Sequence, residues 1–128
     1  MDRTIFRRAR HVLCENLRTL KAARSIRERD WLEAGQLMYS SHESLQEDFE
    51  VSCAELDAVV EIAQNIGPKG GVFGCRMTGG GFGGCIVAFA PQEFVPAVEA
   101  AIAEKYSAAS GLEATVYVCQ ASAGAGEL

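Results

Sequence analysis

The sequence has little with which to hold a metal ion or to build a disulfide framework. It contains two histidines among 128 residues, and its five cysteines form no Cys-x-x-Cys or Cys/His ligand pair. A chain of this length can bury enough apolar surface to fold without such crosslinks. We therefore expect one domain with no metal site and with reduced, mostly buried thiols, as is typical of cytoplasmic proteins.

Long apolar runs and an excess of basic residues are also missing. No run approaches the roughly 18 residues of a membrane span, and no secretory segment is recognisable. The net charge of −5 argues against general binding of nucleic acid. Four arginines among the first ten residues are the exception, and we interpret them as a solvated or interface-facing side of a helix. The sequence thus predicts neither a membrane protein nor a nucleic-acid-binding protein.

Helical spacing of apolar residues dominates the first half of the chain. It predicts helices at residues 3 to 25, 31 to 47 and 53 to 66. Asp30 with Glu33 forms a capping pair at the start of the second helix, and Ser52 with Glu55 forms a capping box at the start of the third. Two sets of paired acids, Glu47 with Asp48 and Glu61 with either Glu50 or Glu55, are typical of solvated helix faces rather than of an acid/base pair.

The apolar period changes to two after residue 71. This period predicts strands at residues 72 to 78, 85 to 90 and 115 to 120, with a helix at residues 92 to 108. Because the strand at 85 to 90 is apolar on both faces, we expect it to be central in its sheet. The order matches an α+β fold, a ferredoxin-like split βαβ with extra N-terminal helices, whose helices 53 to 66 and 92 to 108 cover one face. Its opening strand is missing, and lies either before Met1 or at residues 49 to 52.

Five of the thirteen glycines lie in the six residues between the first two strands. A Gly-x-Gly-x-x-Gly pattern here does not indicate a dinucleotide site, because a strand rather than a helix follows it. A hairpin turn rich in glycine is the structural interpretation, and a hairpin loop over phosphates, as in protein kinases, is the functional one. Five glycines exceed what a tight turn requires, so we expect an anion or a partner to approach this backbone closely.

Several stretches resemble one family. The sequence "RMTGGGFGGC" is similar to the third signature motif of the GHMP small-molecule kinases, in the form characteristic of galactokinases. Upstream, "RRARHV" and "LMYSSHESLQEDFEVSCAELDAVVEIA" resemble, in order, the C-terminal domain of galactokinases. The resemblance covers most of residues 6 to 90. It implies that residues 1 to 128 are a GHMP kinase C-terminal domain, and that the N-terminal catalytic and ATP-binding domain is absent.

The resemblance implies a transferase that passes the γ-phosphate of ATP to galactose, with Mg²⁺ as the second cofactor. It places the glycine loop beside the transferred phosphate. The loop residues so implicated are Thr78, Gly79, Gly80, Gly81, Phe82, Gly83 and Gly84. Arg76, on the strand that enters the loop, is a candidate phosphate contact, with a salt bridge to a helix carboxylate as the alternative. No catalytic residue or metal ligand of the family's motifs is present, so we expect the isolated chain to be inactive and to bind no cofactor tightly.

The expected partners are the missing N-terminal kinase lobe and, in the complete enzyme, galactose and ATP. A lobe that packs against another should leave an apolar or glycine-lined area uncovered near residues 73 to 84, and could self-associate there. His11 and His42 are expected to have packing or capping roles. The alternative function is a freestanding ferredoxin-like module that binds an anion or a partner without catalysis.

Overall fold

A computed structural model describes residues 2–124, which form four α-helices and one small antiparallel sheet. The helices are α1 (Arg3–Glu28), α2 (Trp31–Ser44), α3 (Ala54–Ile66) and α4 (Val95–Ser110), and the strands are β1 (Gly74–Thr78) and β2 (Cys85–Phe89). A π-helical turn, Leu45–Phe49, continues α2, and short 3₁₀ turns follow α3 and precede α4. The predicted α+β class is confirmed.

The helix starts agree with the sequence in one case and differ in another. The side chain of Asp30 accepts a hydrogen bond from the amide of Glu33 at 3.0 Å, which confirms the capping pair at the start of α2. The capping box predicted for α3 is wrong. Cys53 occupies the N-cap position without a side-chain bond, and the hydroxyl of Ser52 donates to a carboxylate one turn into the helix. The Ser52 hydroxyl therefore donates to a carboxylate instead of accepting a hydrogen bond from a backbone amide of the first turn.

The two strands pair antiparallel around the glycine-rich segment. Their register runs from Gly74 opposite Phe89 to Thr78 opposite Cys85, so that residues 79 to 84 form the connecting loop. The predicted hairpin is therefore confirmed. A strand, not a helix, follows the loop, which removes the basis for a dinucleotide-binding turn.

The core lies between β1, α3 and α4. Its buried members are Val60, Ile62, Ala63, Val72, Cys75, Val98, Ile102 and Tyr106. This arrangement confirms the prediction that the third and fourth helices cover one side of the sheet. Burial raises the pKa of the Cys75 thiol to about 12, so this group is protonated and unreactive at neutral pH.

The predicted third strand does not form. Residues 115 to 120 have no strand pairing, and Val116, Tyr117 and Val118 are exposed. β2 has only β1 as a neighbour in the described residues and is largely exposed, so its predicted central position is wrong as well. Residues 49 to 52, one alternative for the opening strand, are not a strand either. Alternating apolar residues become a strand only when a neighbour accepts and donates their backbone hydrogen bonds.

The thiols are more exposed than the composition suggests. Cys75 is buried and Cys53 is partly buried, whereas Cys14, Cys85 and Cys119 are exposed and all five are free. The expectation of mostly buried thiols is therefore wrong. Cys85 lies on β2 and Cys119 lies in the segment 115 to 120. Both are exposed because the predicted pairing of a third strand is missing from the described sheet.

An apolar stripe on a helix is expected to pack against the rest of the protein, but α1 packs through its polar face and leaves its apolar stripe exposed. The exposed fraction of its large apolar side chains ranges from 50% for Val12 to 69% for Leu20, and includes 66% for Leu13 and 61% for Leu17. Its polar face, in contrast, lies against α2 and the π-helical turn, with His11 buried and bonded to Ser44. None of the helices in the described range is both long and apolar enough to cross a membrane.

Three of the four arginines at the start of α1 form salt bridges with the end of the π-helical turn or with the residue that follows it. The Arg10 guanidinium forms a salt bridge with Asp48, and Arg8 pairs with Glu50 at 2.5 Å. Asp48 is only 7% exposed, so the interpretation of this carboxylate as part of a solvated face is wrong. The hydrogen bond from Arg10 holds the pKa of Asp48 below its ordinary value.

Replacing Asp48 with Asn tests this ion pair through its pH dependence. Because the pKa of Asp48 is lowered in the folded state, its ionised form stabilises the fold above about pH 4, and this contribution disappears as the pH falls through the folded-state pKa. We expect Asp48→Asn to lower the free energy of unfolding at neutral pH and to make it fall less steeply on acidification. Urea titrations at several pH values measure both effects. The exposed neighbour offers a control, Glu47→Gln, and equal acid slopes for Asp48→Asn and the unmodified chain would contradict the ion-pair account.

α2 and β1 touch through their backbones. Gly35 on α2 is buried, and a Cβ built on it would lie 2.0 Å from the carbonyl oxygen of Phe73. A Cβ on Gly74 would in turn lie 2.5 Å from the Cα of Gly35. Only glycine at both positions permits this distance between helix and strand.

Candidate functional site: the glycine loop

The backbone of the glycine loop, residues 79 to 84, is largely left-handed. Four of its glycines and Phe82 have positive φ angles, with 61° at Phe82. A bulky residue in this conformation costs roughly 1–2 kcal/mol. The Phe82 side chain is 76% exposed, so its packing within the described chain does not offset that cost. Such strain at an exposed loop is a feature of functional segments.

One point of the loop is fixed to the rest of the chain. The amide of Phe82 donates to the carbonyl oxygen of Val51 at 2.6 Å. At the adjacent Gly81, whose φ is 88°, a Cβ would lie 2.3 Å from the same oxygen. The glycine at position 81 therefore has a structural cause within the described chain.

The other loop glycines border open space. A Cβ built on Gly79, Gly80, Gly83 or Gly84 would find no atom within 4 Å. Gly80 also lacks a positive φ angle, so that neither sterics within the described residues nor its backbone conformation requires glycine there. Free space above side-chain-free backbone fits the close approach of a phosphate group, because amides can then reach its oxygens.

Arg76 and Thr78 lie on the strand that enters the loop. The guanidinium of Arg76 is 3.5 Å from the carboxylate of Glu15 on α1, and also donates to the carbonyl of Met77 at 2.9 Å. Its side chain remains 34% exposed. The salt bridge expected for Arg76 is therefore present, while a contact with phosphate stays a prediction. Thr78 is exposed at the end of β1.

Sequence reasoning missed the residues that hold the loop in place. His42 is only 4% exposed, and its Nδ1 accepts a hydrogen bond from the Met77 amide at 3.1 Å. This bond supports β1 on the edge away from β2. Val51 supports the loop itself through its carbonyl oxygen, which no pattern of side chains could have revealed. The expected packing role of His42 agrees with its burial.

The surroundings of the glycine loop differ from those of a metal centre or an enclosed pocket. Within residues 2–124, no three side chains of His, Cys, Asp or Glu are grouped so that they could hold a metal ion. A concave region of about 680 Å³ lies between α2 and the end of α3 and does not include the glycine loop. Burial raises the pKa of Tyr39, which lines that region, to about 12, so its hydroxyl is neutral at physiological pH. The loop is one open wall rather than an enclosed pocket.

A solved structure matches this fold closely. The crystal structure of Lactococcus lactis galactokinase complexed with galactose superimposes with a TM-score of 0.85 and 40% sequence identity. The match covers 93% of this chain and 30% of that protein, so the chain spans less than a third of its relative's length. The relationship to a sugar kinase, and the fold expected from the resemblance, are confirmed.

A family model gives the same assignment. Residues 12–108 match the model described as the C-terminal domain of GHMP kinases. That range begins in α1 and ends in α4, and it includes the glycine loop and its supports. The chain therefore belongs to the GHMP kinase family and corresponds to the family's C-terminal domain.

Proposed function

We propose that this chain is the C-terminal part of a cytoplasmic galactokinase, which transfers the γ-phosphate of ATP to galactose and releases ADP and galactose 1-phosphate. The observation that carries the proposal is the open space above Gly79, Gly80, Gly83 and Gly84, together with the glycine at position 80, for which the described chain gives neither a steric nor a conformational reason. The similarity to a galactokinase supports the choice of substrate. In this account the loop forms one wall of the phosphate site.

Phosphoryl transfer depends mainly on positioning and on stabilisation of charge, so a wall of backbone amides can contribute to it. Among residues 79 to 84, only Phe82 donates its amide to another part of the described backbone. The amides of the neighbouring glycines are then available for phosphate oxygens. Mg²⁺, bound with ATP by the complete enzyme, would neutralise the phosphates. Arg76 could add a positive charge at the entrance of the loop when it is released from Glu15.

The isolated chain should not catalyse the reaction. It offers no metal-binding cluster in residues 2–124, and none of its carboxylates lies in a sequence that matches a catalytic motif of the family. An open wall of this kind should also bind nucleotide weakly, because few contacts must offset the lost translational freedom. Activity is therefore expected only together with the N-terminal lobe.

The apolar stripe of α1, formed by Phe6, Leu13, Leu17 and Leu20, supports such a partner. Contiguous exposed apolar surface marks an interaction site. The match covers only 30% of the Lactococcus lactis galactokinase, so most of that protein lies outside the matched part. We infer that the N-terminal lobe covers this stripe in the complete enzyme, in addition to the area around Phe82. Without the lobe, the same stripe should promote self-association.

A reconstitution assay tests the proposal. This chain is mixed with the part of the Lactococcus lactis galactokinase that the match leaves uncovered, and galactose 1-phosphate is followed by phosphorus NMR. We expect product from the mixture and none from either piece alone. Leu17→Asp should reduce the yield, whereas Lys105→Asp, at an exposed position on a different helix, α4, should not. Product from this chain alone, or none from a mixture shown to associate, would contradict the proposal.

A further inference from the structure

The glycine loop is held at two separate points by hydrogen bonds from its backbone. At the end of β1, the Met77 amide donates to Nδ1 of His42 at 3.1 Å. Within the loop, the Phe82 amide donates to the carbonyl oxygen of Val51 at 2.6 Å. The two acceptors come from different elements, α2 and the segment between the π-helical turn and α3.

Both supports lead to the same carboxylate, that of Asp57 on α3. Oδ1 of Asp57 lies 3.0 Å from Nε2 of His42 and accepts a hydrogen bond from the hydroxyl of Ser52 at 2.5 Å. Ser52 directly follows Val51 in the chain. The second oxygen, Oδ2, accepts from the side-chain amide of Gln46 at 2.8 Å, so both carboxylate oxygens are used.

The bonds also determine the tautomer of His42. Because Nδ1 accepts from a backbone amide, it carries no proton, and the ring proton must be on Nε2, where it is donated to Asp57. Both ring nitrogens are therefore occupied inside the fold. His42 has no atom free for a ligand, which favours a role in positioning over one in chemistry.

We propose that Asp57 is a positioning residue that couples the two supports of the glycine loop. It fixes the His42 ring that holds the entrance of the loop, and it fixes the Ser52 hydroxyl beside the carbonyl that holds the loop itself. Loss of the carboxylate should loosen both attachments together. The inference deepens the proposed function and rests on it for its catalytic consequence, although the coupling itself concerns this chain alone.

Amide hydrogen exchange, followed by NMR on this chain without nucleotide or partner, tests the coupling. We expect Asp57→Ala to speed exchange of the Met77 and Phe82 amides by tenfold or more, and to change the ¹⁵N signals of the His42 ring from one tautomer to a mixture. Asp57→Asn retains an acceptor oxygen, so it should restore the single tautomer. The control Glu55→Ala, at an exposed position on the same helix, should alter neither amide nor ring.

A second variant keeps the test decisive if Asp57→Ala does not fold. Ser52→Ala removes only the hydrogen bond between the Ser52 hydroxyl and Asp57. It should therefore speed exchange of the Phe82 amide and leave exchange of the Met77 amide unchanged. Equal exchange of Phe82 in the unmodified chain and in Ser52→Ala, or a response of only one amide to Asp57→Ala, would overturn the coupling.

The reconstituted enzyme separates this inference from the proposed function. There we expect Asp57→Ala to lower kcat by about tenfold, since a small displacement of a positioning element slows a reaction that depends on geometry. A mixture that lacks all activity would count against the proposed function and leave the exchange result standing. Unchanged exchange in an active mixture would overturn the coupling alone.

Discussion

Gly80→Val should leave the fold intact and yet abolish most of the kinase activity of the reconstituted enzyme. A Cβ at position 80 would find no atom within 4 Å, and the residue has no positive φ angle, so we expect the described chain to accommodate a valine there. If phosphate lies against the loop, however, the added side chain occupies the place of the phosphate or displaces it. A displacement of about 1 Å can cost roughly a hundredfold in rate, and we expect a loss of that order.

A glycine elsewhere in the chain supplies the matched control. Gly124 also borders open space and has no positive φ angle, but it lies far along the chain from the loop. Gly124→Val should therefore retain full activity, and both variants should have the thermal stability of the unmodified chain. If Gly80→Val remained within about twofold of normal activity, no ligand could approach this face of the loop as closely as we propose.

Gly35→Ala is expected to destabilise the chain by about 3 kcal/mol, the upper part of the range for overpacked sites. Helix propensity alone predicts the opposite sign, since alanine in the interior of a helix is favoured over glycine by ~1 kcal/mol. The steric effect should win because the added Cβ would lie 2.0 Å from the Phe73 carbonyl oxygen, and backbone cannot rotate away as a side chain can. The separation of α2 from β1 should also weaken the bond between His42 and Met77.

Urea denaturation of the two variants Gly35→Ala and Gln36→Ala measures this effect. Position 36 follows on the same helix but is exposed, so its substitution should change the free energy of unfolding by less than about 0.5 kcal/mol. Stability of Gly35→Ala equal to or above that of the unmodified chain would show that the helix and the strand are farther apart than the structure places them.

The sequence was sufficient to predict the parts of the fold that depend on local periodicity. The helices and the hairpin follow from spacing of three to four and of two residues, and the turn between them follows from glycine. The absence of a strand at residues 115 to 120 could not be predicted in this way, because pairing depends on a neighbour and not on the pattern of the segment itself. The order of these elements indicated the α+β architecture, and the family resemblance, carried by the loop motif, agreed with it.

The orientation of α1 and the supports of the loop lay beyond local patterns. An apolar stripe predicts that one face of a helix is covered, but it does not show which part of the protein covers that face. In α1 the polar face, with His11 and Arg10, lies against the rest of the described chain. Likewise, a carboxylate at position 57 is indistinguishable in sequence from any solvated helix residue. Its bonds to His42 and Ser52 join segments that are 15 and 5 residues away along the chain, and only the fold brings them together.

The most direct test of the central claim is to observe the loop while nucleotide binds. In the reconstituted pair, with only this chain labelled with ¹⁵N, a non-hydrolysable ATP analogue should shift the amide signals of Gly79, Gly80, Gly83 and Gly84. The amides of Gly111 and Gly124 should not move. Loop signals that stay unchanged, in a mixture that binds the analogue and phosphorylates galactose, would contradict the claim that this loop forms a wall of the phosphate site.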